Sequence, residues 1–236
     1  MMGDVAKKVH QRCEFSTALQ HRIVKTLQYL EKATHSLPRP MGDLLVEKYG
    51  RDSFILLAGC LLSLRARDQT VYPVYEQLLK VAKTPQDMVN VPQKVLEDIL
   101  KPIGFYRKKA VVLHQVSHAL LTHYGGKVPH TQKELLSLPG VGLKTAHFML
   151  AYAFLVPALC VDTHVHRLAN LFGWVHTKSP EETEKALKKV VPQEWWIRFN
   201  TVLVTWGQQV CKPMLARRLL RNHLQHCPCS ESFSLE

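Results

Sequence analysis

The run ELLSLPGVGLKTAHFML, residues 134–150, holds two helix-prone apolar stretches apart with Pro139, Gly140 and Gly142. Pro139 ends the first stretch because its ring blocks the carbonyl one turn back, and the glycines reach backbone angles that other residues resist. The result is a tight turn between two helices, the second beginning near Leu143. The first amides of that helix, on Val141, Gly142, Leu143 and Lys144, have no partner within it. Unpaired amides at the positive end of a helix dipole form an anion site, and small glycines let phosphate oxygens approach the backbone.

Lys144 stands in the first turn of the second helix, where the dipole disfavours a cation and the many Lys and Arg residues of the chain push the same way. Both effects, together with partial burial, lower its pKa, and a neutral amine can attack a sugar carbon to form a Schiff base. The plainer role is that of a phosphate-binding lysine. Asp162 follows eighteen residues later in ALCVDTHVHRLAN, after an apolar run and before a helical pattern. Aspartate is a favoured helix cap; a carboxylate at the mouth of a basic cleft also stabilises developing oxocarbenium charge or assists a proton. On these residues alone both roles stay open.

Elsewhere apolar residues recur at helical spacing, and no strand alternation with hairpin signals is found, so the fold class is all-α. Ser16 is expected to cap a helix carrying Leu19, Ile23, Leu27 and Leu30 on one face. SFILLAGCLLSLRA, residues 53–66, is apolar nearly all round, as a central buried helix must be. Further helices are predicted over 68–81, 85–89, 93–100 and 108–123, and a later one opens with Ser179 as cap and Pro180 in its first turn. There is no internal repeat and no long linker.

Lys and Arg total 31 against 19 Asp and Glu, a net charge of +12, and a surface so positive favours a polyanion. The basic residues are scattered rather than gathered in a juxtamembrane block, which argues against a membrane partner. No stretch approaches the roughly 18 consecutive apolar residues of a spanning helix, and MMGDVAKKVHQRCEF lacks the apolar core of a secretory signal. Cys13, Cys60 and Cys160 stand alone among apolar or helical neighbours, as reduced thiols do inside a cell.

With LPGVGLKTA followed at this distance by VDTHVHR, the chain resembles the endonuclease III family of helix-hairpin-helix DNA glycosylases. The resemblance runs through LLSLRARDQ (61–69), IGFYRKKA (103–110), GGKVP (125–129) and VVPQEWW (190–196), in the family's order, from about residue 30 to 211. It implies a two-lobed fold: a central helical barrel over 46–156 that includes the hairpin, a second domain from 1–45 and 157–236, and DNA across the cleft. It implies that Lys144 attacks the anomeric carbon of an extruded damaged nucleotide, that Asp162 supports the step, and that β-elimination then nicks the strand. Members without this lysine release the base and leave the strand intact.

The DNA contacts that the resemblance implies are Gly140, Val141, Gly142 and Thr145 at the hairpin, with His164 and Arg167 in VDTHVHR. Arg167 is expected near the DNA backbone, and His164 is expected to orient the local fold more than to move protons. Arg65 and Phe105 correspond to the side chains that fill the gap left by the extruded base. Without the resemblance Phe105 reads equally as a core aromatic. The family usually has glutamine at Arg65, leucine at Phe105 and a basic residue at Leu143, which leaves the opposite-base preference open.

Most members of the family end with four cysteines, C-x6-C-x2-C-x5-C, around a [4Fe-4S] cluster. Here Cys211 matches the first, the following MLARRLLRNHLQH reads as a basic amphipathic helix, and Cys227 and Cys229 are read as falling too late, so neither cluster nor other metal is expected. A zinc site of Cys211, Cys227, Cys229 and His223 or His226 is the alternative, although its spacing matches no common zinc pattern. Arg217, Arg218 and Arg221 are placed to reach phosphates.

The sequence therefore points to a monomeric, cluster-free DNA glycosylase and abasic-site lyase of base excision repair. Its partner is double-stranded DNA with oxidised or damaged pyrimidines or abasic sites, and no membrane. The expected location is intracellular: cytoplasm or nucleoid if bacterial, nucleus or mitochondrion if eukaryotic. The alternatives are a lyase acting mainly on abasic sites or with altered lesion choice, and a non-catalytic binder that uses the hairpin to hold bent DNA.

Overall fold

The computed structural model describes residues 2–212, with side chains from residue 17 onward, and all regular structure among them is helical. The chain divides into two compact units, 39–160 and 1–38 together with the chain from 161 onward. The sequence reading draws these borders at 45/46 and 156/157. No described helix is long and apolar enough to cross a membrane.

The unit over 39–160 is built around α3 (Ser53–Ser63), in which every residue from Phe54 to Leu62 is buried. A helix apolar on all sides is stable only when other helices surround it. Those neighbours are α2 (Met41–Tyr49), α4 (Asp68–Leu78), α7 (Tyr106–Tyr124) and α9 (Leu143–Tyr152). Asp52 starts α3, its side chain accepting the Ile55 amide at 2.9 Å. The buried Tyr75 hydroxyl of α4 donates to Ile55 O at 2.7 Å, so the central helix is fixed by a polar bond as well as by packing. Two short helices, α5 (Pro85–Asn90) and α6 (Gln93–Leu100), close the unit against α7, and α8 (Gln132–Ser137) precedes the turn into α9.

The second unit begins with α1 (Met2–Thr34), which runs without interruption through Ser16. The expected start at Ser16 is thus corrected: the preceding residues include strong helix formers (Ala6, Lys7, Lys8, Gln11, Arg12, Glu14) and no breaker after Gly3, so the helix passes through a serine that elsewhere would cap it. Ile23, Leu27 and Leu30 are fully buried, as their spacing requires. The remaining elements are α10 (Thr163–Leu171), α11 (Pro180–Leu187), a 3₁₀ turn (Gln193–Trp195) and α12 (Trp196–Gln209), with α1 and α10 both packed on α12. Ser179 does cap α11, accepting the Glu182 amide at 3.2 Å.

Gly59, in the middle of α3, is where neighbouring helices come closest: an added Cβ would lie 2.7 Å from Leu45 Cδ1 and 3.0 Å from Tyr75 Cε1. Gly59→Ala is expected to lower stability by about 1–3 kcal/mol, because buried Leu45 and Tyr75 have little room to give. A urea-unfolding midpoint equal to wild type would show that the core around α3 is looser than this.

Candidate functional site

The turn between α8 and α9 follows from its residues. Leu138 O accepts the Val141 amide at 3.2 Å, with Pro139 and Gly140 as the two central residues. Gly140 has φ +75°, the left-handed angle that a type II turn needs at its third position. A Cβ there would sit 2.6 Å from Val112 Cγ1 of α7, so the turn is pressed onto its neighbour as well as bent. Gly142 differs. Its backbone is extended (φ −98°, ψ −179°), and a Cβ would meet nothing within 4 Å.

Gly142 is the N-cap of α9 and, as a glycine, supplies no side-chain cap. Of the four amides expected to face an anion, that of Val141 is already used within the turn. The Gly142 and Leu143 amides have no hydrogen-bond partner among the described residues. Val141 and Thr145 bury their side chains, and the Cys60 thiol of α3 donates to Thr145 Oγ1 at 3.9 Å. These two residues anchor the hairpin, and neither presents a side chain to a ligand.

Lys144 is exposed in the first turn of α9, not partly buried as expected from the sequence. Its carbonyl accepts the Cys160 thiol at 3.7 Å, and its charge is felt at Cys60. Burial pushes the Cys60 thiol above its ordinary range and the neighbouring ammonium pulls it back only in part, so the thiol stays protonated at neutral pH.

Arg65 and Phe105 are both exposed, Phe105 at 60%, so it is no core aromatic. Both have left-handed backbone (φ 54° and 60°), an arrangement that costs a non-glycine residue about 1–2 kcal/mol. Leu155, in the turn leaving α9, is the other such residue described. Arg65 lies just past the end of α3, and Phe105 is the N-cap of α7. Lys109, a residue the sequence reading passed over, joins these two loops: it is buried, and its Nζ donates to Leu62 O in the last turn of α3 at 2.6 Å. Burial pulls its ammonium down to about 8, which leaves it mostly protonated at neutral pH. Its place in IGFYRKKA, among other basic residues, hid it: nothing in the pattern separates the buried lysine from the solvated ones.

In the other unit, Asp162 is the N-cap of α10 and its Oδ1 accepts the His164 and Val165 amides, each at 2.9 Å. The capping role is therefore real, and Oδ2 remains outside it. Arg167, expected near a DNA backbone, gives Nη2 to Gly207 O at 3.1 Å and Cys211 O at 2.6 Å. Those carbonyls belong to the end of α12, where a cation is favourable. Burial lowers the Arg167 pKa, opposed by the neighbouring Cys211 and Asp162. His164 packs its ring on Gly207 beside the Arg167 guanidinium.

Cys211 is buried, and burial raises its thiol pKa against the pull of Arg167. Counting C-x6-C-x2-C-x5-C from Cys211 places Arg218, Arg221 and Cys227 at the other three positions, which lie outside the described residues. Cys227 thus falls in register and does not come too late, which corrects the expectation; the second and third thiols are the ones replaced. Two guanidiniums supply no thiolate, so this donor set does not fit a four-cysteine cluster. Cys229, His223 and His226, needed for the zinc alternative, and Arg217 also lie outside the described residues.

A family model described as HhH-GPD superfamily base excision DNA repair protein matches residues 58–193. The chain is 43% identical over 177 residues to the endonuclease III of Thermotoga maritima, a match spanning 74% of this chain and 83% of that protein. To the chloroplastic endonuclease III homolog 1 of Arabidopsis thaliana it is 33% identical over 222 residues, 88% of this chain and 59% of the plant protein. A solved structure of a trapped endonuclease III–DNA covalent intermediate, an estranged-adenine complex, is similar with a TM-score of 0.73 at 34% identity. That likeness covers 82% of this chain and 88% of the other.

The two glycines of the hairpin are expected to respond differently to substitution. Gly140→Ala combines a left-handed φ with a collision against Val112 and is expected to lose about 1–3 kcal/mol. Gly142→Ala meets neither obstacle and is expected to stay within about 0.5 kcal/mol of wild type. Denaturant midpoints of the two variants check this; equal losses would contradict the distinction between a turn glycine and an access glycine.

Proposed function

The chain belongs to the endonuclease III family, within the HhH-GPD superfamily of base excision DNA repair proteins, and we propose that it excises oxidised or otherwise damaged pyrimidines from duplex DNA and then nicks the strand. The observation that carries this reading is Lys144, an exposed amine in the first turn of a helix that no side chain caps. Phosphate held on the Gly142 and Leu143 amides brings the DNA backbone to the amine without reading base sequence, as a repair enzyme that scans many sites requires.

The target carbon is out of reach inside a stacked duplex, so the damaged nucleotide must leave the stack. Arg65 and Phe105 suit the gap it leaves: both are exposed, both are on strained loop ends, and both are large enough to lie between base steps. The neutral Lys144 amine then attacks the anomeric carbon as the glycosidic bond breaks, and the base leaves with the bonding electrons and takes up a proton. Ring opening yields the Schiff base, and loss of a proton from the adjacent carbon expels the 3′ phosphate. The positive end of the α9 dipole favours the neutral, nucleophilic amine. Asp162 Oδ2, outside the capping bonds, offers the negative charge that steadies positive charge developing on the sugar. Support for covalent chemistry comes from the trapped covalent intermediate of the similar structure. With arginine at two cluster positions, no step is assigned to an iron–sulfur group.

Wild-type protein is expected to cleave duplexes that carry an abasic site or thymine glycol, and Lys144→Ala to cleave neither. Binding without cleavage of any lesion would instead identify a non-catalytic binder, and cleavage at abasic sites alone a simple lyase. Asp162→Asn separates the two roles of that residue. Asparagine caps α10 as well as aspartate does, so stability should stay within about 0.5 kcal/mol while excision falls roughly a hundredfold or more. Wild-type excision by that variant would reduce Asp162 to a cap.

A further inference from the structure

We propose that Lys109 is a positioning residue for base extrusion, holding the Arg65 and Phe105 loops in register by bonding to both. The inference rests on the wedge role proposed above for those two side chains. Lys109 lies one turn into α7, and its amide donates to Phe105 O at 3.0 Å, the first helical bond after the left-handed residue. Its side chain runs the other way and gives Nζ to Leu62 O at 2.6 Å, three residues before Arg65. One residue therefore grips the base of each loop.

The last carbonyls of a helix have no partner within it, and they lie at its negative end. At the end of α3 the Leu64 amide reaches back to Leu61 O at 3.4 Å and the Ala66 amide to Ser63 O at 3.1 Å, while Leu62 O takes the lysine. Burying an ammonium against a carbonyl, with no carboxylate bonded to it, is unfavourable unless the bond serves a purpose that an apolar side chain cannot. A methionine would fill the same space without fixing the two loops. Arg65 and Phe105 both keep left-handed backbone on exposed loops, and such angles persist only where surrounding structure over-determines them. Lys109 is the polar bond between the elements that hold them.

The test compares Lys109→Met, Lys109→Arg, Arg65→Ala and Phe105→Ala on two substrates: a duplex with thymine glycol, and single-stranded DNA with an abasic site, which has no stack to open. Lys109→Met is expected to slow single-turnover excision from the duplex by about tenfold or more, since small misplacements at a site of this kind are costly. Its borohydride-trapped yield on the single strand should stay within about twofold of wild type, which also certifies that the variant is folded. Lys109→Arg, a cation able to reach the same carbonyl, should recover most of the duplex rate. A Met variant that loses equally on both substrates, or on neither, overturns the proposal. Unimpaired duplex excision by both Arg65→Ala and Phe105→Ala would sink the wedge role itself, and the positioning role with it. Impaired alanine variants beside an unimpaired Met variant would sink the positioning role alone.

Discussion

Because Gly142 has no side chain, the Gly142 and Leu143 amides at the start of α9 have no partner among the described residues, and the chemistry proposed for Lys144 depends on that choice of residue. At α3, α5, α8, α10 and α11 the residue in the same position is Asp52, Thr84, Thr131, Asp162 or Ser179, and each side chain takes up an amide of its own helix. A serine or aspartate at position 142 would add stability of about a few tenths of a kcal/mol and take up an amide that the proposed phosphate contact needs. The fold gives up that cap and places Lys144 one residue inside the uncapped end.

The rest of the unit keeps that end in place. Gly140 bends the chain where no larger residue fits, against Val112 of α7, and Thr145 lies against Cys60 of α3. The helices that hold the hairpin are thus the ones from which the Arg65 and Phe105 loops leave. The uncapped start of α9, Lys144 and the Arg65 and Phe105 loops share a single packed support, so a shift of α3 or α7 reaches all of them at once. Buried α3, with Gly59 at its tightest contact, is a rigid choice for that support.

The helices, the turn and the place of Lys144 in the first turn of α9 were legible because each follows from local rules, apolar spacing and a proline-glycine break, whereas the exposure of Lys144 was not. Asp162 was legible as a residue whose two roles the sequence could not separate, and the bonds of Oδ1 now account for one of them. What the sequence hid is tertiary. The bonds of Arg167 to the end of α12 depend on the packing of α10 on α12, which no local pattern shows. Ser16 follows the cap rule and is overridden by continuous helix. Lys109 is one basic residue among several, and burial alone distinguishes it.

Whether Lys144 is the attacking amine is decided by reducing the protein with borohydride while it acts on thymine-glycol duplex, digesting the covalent adduct and locating the modified residue by mass spectrometry. The sugar remnant is expected on Lys144, attached through its Nζ. A remnant on any other lysine, or on the N-terminal amine, would contradict that assignment.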